Sequence, residues 1–173
     1  QVAALLAFPL IASQLAATKQ IADLHINKDI VALSRITKKI AVQSGLTSTC
    51  ILAAVMAAVW ALPYIFGPEY AGLGSVVLTL GLTFTIAAWM GPTGKILAMT
   101  GLEKKQARLV GIAAMVNVAV GMAIIPFLGE LGAALSTLIG TLTWKVGAAI
   151  EIRKNLGYFP PFILQPAISD TAQ

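Results

Sequence analysis

Charge is the scarcest commodity in this chain: Asp, Glu, Lys and Arg make up 11% of its 173 residues, with seven acids against twelve bases. An ordinary soluble domain carries about 25%. So few ionised groups cannot coat a globule, and the soluble enzyme and the disordered tail are excluded together. The single cysteine, Cys50, stands among apolar residues, which removes disulfide frameworks, zinc clusters and redox pairs and leaves the thiol a packing role. The single histidine, His25, falls in a charged segment where a solvated imidazole is the simplest reading. No charged segment precedes the first apolar stretch, so a secretory signal peptide is not expected.

Hydrophobic residues are abundant, at 58%, and mean hydropathy is +0.86. They gather into runs long enough to cross a bilayer, which takes about 20 residues of helix because backbone groups in lipid must be satisfied within the segment. Four such runs are expected as transmembrane helices, at 40–66, 75–100, 107–128 and 131–152, separated by the turn-like clusters FGPEYAGLG, TGLEKKQAR and PFLGELG. A fifth, 2–18, is short for a span and reads as the tail of a helix that begins in a longer membrane protein. Residues 1–18 are therefore assigned to a truncated transmembrane helix, 19–39 to a cytoplasmic connector, 40–152 to four transmembrane helices and 153–173 to a cytoplasmic tail. The fold class is all-α, a polytopic transmembrane helix bundle.

Lys and Arg alternate between the connecting segments. Segment 19–39 holds Lys19, Lys28, Arg35, Lys38 and Lys39, the turn at Glu69 none, the next turn Lys104, Lys105 and Arg108, the turn at Glu130 none, and the final exit Lys145, Arg153 and Lys154. Cytoplasmic loops carry the basic excess, so this alternation predicts that 19–39, the Lys104 turn and the C-terminus are cytoplasmic and the two glutamate turns external. The bases form no patch with interleaved aromatics, and nucleic acid is not an expected partner. Within 19–39, Ile21, Leu24, Ile30, Leu33, Ile36 and Ile40 recur at spacings near three and four, the pattern of an amphipathic helix along the inner interface. It reads as a connector; a reader of lipid head groups is the sharper alternative.

Catalytic motifs are missing. GPTGK at 91–95 suggests a phosphate loop, but Trp89 stands where the first glycine belongs and Ile96 where Ser or Thr should follow the lysine. No span pairs two acids for acid and base work, and no metal or cofactor set can be drawn. The informative residues are polar ones inside spans. Lys95 follows Gly91, Pro92 and Gly94; it either snorkels to the interface or faces a central cavity beside a helix broken at Pro92. Lys145, beside Trp144, fits a snorkelled anchor in an aromatic belt and is otherwise a second cavity cation. Asn117 lies mid-span, suited to an interhelical hydrogen bond or to substrate contact. Ser44, Thr47, Ser48 and Thr49 can return their hydrogen bonds to their own helix. Gly129, Gly132, Ala133 and Ala134 permit close helix approach.

Local patterns then line up in order. FGPEYAG, GPTGKILAMTGLEKKQARL and VNVAVGMAIIPFLGELGAALSTLIG, together with ADLHINKDIVALSRITKK, resemble the C-terminal half of polysaccharide flippases, the O-antigen and exopolysaccharide transporters of the multidrug/oligosaccharidyl-lipid/polysaccharide exporter superfamily. The resemblance covers 23–157, and Gly121 stands where family members often carry a second asparagine. It implies a two-half transporter of which this chain supplies one half, the other being a missing N-terminal half of the same protein. It also implies alternating access in the cytoplasmic (inner) cell membrane and a polyprenyl-pyrophosphate-linked oligosaccharide as substrate. Lys95, and with less force Lys145 and Asn117, are the substrate-binding candidates. A multidrug or cation exporter of the same superfamily and a membrane-embedded glycosyltransferase or polymerase are the alternatives.

Overall fold

A computed structural model describes residues 30–66 and 73–157, and among these every regular element is helical. In chain order the helices are α1 (Ile30–Phe66), α2 (Leu73–Trp89), α3 (Thr93–Met99), α4 (Glu103–Leu128) and α5 (Glu130–Leu156). The expected helix at 1–18, the connector from 19 to 29 with His25, most of the Glu69 turn and the tail beyond Gly157 lie outside the described residues.

Three helices, α1, α4 and α5, are long and apolar enough to cross a membrane. The pair α2 and α3 adds a fourth crossing if it is one span, bent by 44° at its break. The run expected at 75–100 is thus two helices. At 37 residues, α1 is about 55 Å long, well beyond a hydrocarbon core of about 30 Å. No break falls at 39–40, and the amphipathic stretch from Ile30 is the first part of the same helix as the apolar run.

Helix α5 is the hub, packing against α2, α3 and α4, while α1 pairs with α2. Small residues permit the close approaches. A Cβ on Gly132 would stand 3.0 Å from the backbone of Ile124 and Ile125, and one on Gly140 would stand 2.9 Å from Asn117 Cβ. Gly132, Ser136 and Gly140, spaced by four, form a buried seam on α5 against α4. The two helices are joined by Gly129 alone, whose φ of 56° is open to glycine and whose N–H closes α4 by donating to Ile125 O at 2.8 Å. On the other side a Cβ on Gly45 would strike the Trp89 ring, 2.5 Å away.

Large side chains are buried mainly at one end of the molecule, where Leu33 of α1, Ile96 and Leu97 of α3, and Ala148 and Ile152 of α5 form a cluster. Elsewhere apolar side chains point outward: Phe127 is 85% exposed, Trp60 76%, Met122 74% and Met115 67%. Apolar surface on that scale demands lipid or protein around it. The chain has the character of a membrane protein.

Candidate functional site

The break between α2 and α3 follows from two adjacent residues. Pro92 has no N–H to give the preceding turn and disfavours helical geometry in its neighbour. Gly91 takes the left-handed conformation that ends a helix, with φ at 71°. The local bonds are rearranged accordingly. Gly91 N–H donates to Ala88 O at 3.0 Å, Thr93 N–H folds back to Gly91 O at 2.9 Å, and Ile96 N–H reaches Pro92 O at 3.1 Å. After α3 the chain turns again at Gly101, with φ at 74°, and Leu102 N–H donates to Leu97 O at 3.0 Å.

Neighbouring helices close on this break. From α5, Lys145 Nζ donates to Gly91 O at 3.0 Å and lies 3.4 Å from Thr93 Oγ1. Lys145 stands about 22 Å of helix rise past Glu130 and about 16 Å before Leu156, and its ammonium is spent on the break. A snorkelled lysine would reach for the interface. Trp144, one residue earlier, lays its ring over Gly94, where a Cβ would come within 3.1 Å of it. From α1, Ser44 Oγ lies 3.1 Å from Ala88 O, 2.7 Å from its own Ile40 O and 3.2 Å from Ala41 O, so its one proton has three destinations. Thr93, Ile96 and Leu97 are fully buried beneath this junction.

Polar stitching continues along α1 and α2. Ser48 Oγ meets Thr85 Oγ1 at 3.3 Å, and Trp89 Nε1 donates to Thr49 Oγ1 at 3.2 Å. Thr47 and Thr49 do bond back to their own helix, to Gln43 O and Gly45 O. The hydroxyls of Ser44 and Ser48 reach across to α2, a contact that local bonding alone does not reveal.

The three candidate residues take different places. Lys145 is drawn to the break. Lys95 is half-buried on α3, four residues beyond Gly91. Asn117 lies about 21 Å along α4, packed over the bare backbone of Gly140 and opening into a shallow groove with Gly121 and Ser136. Among the described residues its amide has no hydrogen-bond partner, so the expected interhelical bond is not formed there. The sequence placed a cation beside the Pro92 break but chose the residue on α3 itself; the contact comes from 54 positions away. Among the described residues no cluster of three His, Cys, Asp or Glu side chains could hold a metal.

Compared with known proteins, the chain matches no protein family, no curated protein and no solved structure.

Proposed function

We propose that the chain is one half of a polytopic membrane transporter that moves a polyprenyl-pyrophosphate-linked oligosaccharide across the cytoplasmic membrane by alternating access, without chemical change to its cargo. The observation that carries the reading is the ammonium of Lys145, held within a membrane-length helix against the opened backbone between α2 and α3. Discontinuous helices and intramembrane cations mark the substrate paths of transporters. A diphosphate entering between the two halves needs positive charge that does not have to be gathered from water, and Lys145 with Lys95 supplies it. Asn117, with its unspent amide, suits a neutral sugar hydroxyl. The sequence patterns quoted for the flippases support the same assignment.

A cation exporter would present acids to its cargo, whereas the charged side chains beside this break are lysines. A glycosyltransferase needs acids on a catalytic loop, and the described turn at Glu130 is too short to build one.

The test uses the complete protein. Depletion in cells should leave lipid-linked oligosaccharide on the cytoplasmic leaflet and remove its polymer from the surface, while efflux of cationic dyes stays unchanged. Loss of dye efflux with normal surface polysaccharide would reject the reading in favour of the cation exporter.

A further inference from the structure

Helix α1 has two opposite faces. Leu33, Thr37 and Ala41 are buried, and Ser44 and Ser48 follow on the same side, turned toward the other helices. Half a turn away lie Arg35, Lys38, Lys39, Val42 and Leu46, all exposed and all within a sector of about 100° at 100° per residue. Together with Gln43 they line one open groove. Among the described residues no acid forms an ion pair with Arg35, Lys38 or Lys39; Glu151 pairs instead with Lys105, at 2.9 Å.

The order of residues along this stripe is informative. Three cations occupy about 6 Å of helix, and the apolar side chains of Val42 and Leu46 continue the line to about 16 Å from Arg35. A soluble anion would use the first part alone. An anionic phospholipid uses both, with its phosphate among the cations and an acyl chain lying on Val42 and Leu46. The cations stand in the first turns of a helix about 55 Å long, whose excess over a hydrocarbon core of about 30 Å leaves room for that end to lie at the head groups. Basic residues at that depth attract anionic head groups, and each contributes measurably.

We propose that this face of α1 is a binding site for one anionic phospholipid, held by Arg35, Lys38 and Lys39 at the phosphate and by Val42 and Leu46 along the chain. The site does not depend on what the protein transports. Its occupant completes a face that the other helices leave uncovered, and fixes the depth at which α1 enters the bilayer.

The probes are phosphatidylglycerol and phosphatidylcholine, offered together to the complete purified protein in detergent and read by native mass spectrometry. The wild type should retain one phosphatidylglycerol in preference to phosphatidylcholine. Replacing Arg35→Gln, Lys38→Gln and Lys39→Gln together should weaken phosphatidylglycerol on the order of a hundredfold, from about fivefold per cation, with phosphatidylcholine unchanged. The charge-conserving set Arg35→Lys, Lys38→Arg and Lys39→Arg should bind within about threefold of wild type, since the site reads charge at an interface. Lys104→Gln with Arg108→Gln, which removes bases elsewhere, should leave the preference intact. Glycerol phosphate, the head group without chains, should not displace the lipid. Equal retention of the two lipids, an undiminished preference in the triple Gln variant, loss in the charge-conserving set, loss in the Lys104 and Arg108 control, or displacement by glycerol phosphate would each overturn the proposal.

Discussion

Replacing Lys145 by methionine removes a charge while keeping most of the side-chain volume, and the bonds around the ammonium set the size of the effect. A hydrogen bond from a charged donor contributes about 1.5–3 kcal/mol, so the contact at 3.0 Å to Gly91 O is a real loss. Yet Gly91 O keeps the N–H of Thr93 at 2.9 Å and is not orphaned. Removing the ammonium also relieves a desolvation cost of several kcal/mol, so the two changes oppose each other. The fold of Lys145→Met should therefore stay within about 2 kcal/mol of wild type. Transport should not. A unit charge about 4 Å from a phosphate oxygen at an effective dielectric of 20 is worth about 4 kcal/mol, close to three decades, and screening by water lowers this toward one. In the complete protein, Lys145→Met should reduce movement of lipid-linked oligosaccharide into proteoliposomes by about tenfold to a thousandfold, with membrane abundance within about twofold. Lys145→Arg should keep some of the activity. Thr93→Val should stay near wild type, because a 3.4 Å contact is a weak bond and the cation survives. Transport by Lys145→Met within about twofold of wild type, at equal abundance, would refute the counter-charge argument.

The α4 and α5 seam gives a stability contrast. Gly132→Ala should lower stability by about 1–3 kcal/mol in a detergent melt, since backbone 3.0 Å away cannot move aside, whereas Gly111→Ala, with nothing within 4 Å, should be neutral or slightly stabilising. Lys105→Ala should shift the same melt by less than about 1 kcal/mol, because the pair at 2.9 Å with Glu151 is 47% and 24% exposed. For sidedness, a Cys50→Ser background carrying one new cysteine at Glu130 should react with an impermeant thiol reagent in intact cells, and one at Lys104 should not; the opposite pattern reverses the orientation.

The apolar runs were legible because length and hydropathy are properties of contiguous residues, and α4 and α5 begin and end within a few positions of the expected 107–128 and 131–152. The break at Gly91 and Pro92 has an equally local cause, a missing N–H, yet the apolar run continues past it, so 75–100 reads as one span. Less could be read where partners are distant in sequence. Lys145 looked like an interfacial anchor because its distance along its own helix says nothing of a carbonyl exposed on another. Ser48 looked self-satisfied because hydroxyls can always bond within a helix, and only packing shows Thr85 within reach. The separate connector at 19–39 came from a change in amphipathicity at Ile40. Helical hydrogen bonds pass through such a change undisturbed, and α1 does so.

The cluster of Leu33, Ile96, Leu97, Ala148 and Ile152 joins three helices at one end through four large aliphatic side chains and one alanine, whereas Gly121, Gly132 and Ser136 make the seam near the other. The two ends are fastened by different means, interlocked aliphatic groups at one and backbone laid against backbone at the other, so α5 acts as a spine clamped at both tips. Loosening one clamp leaves the other in place, because the two share no side chain.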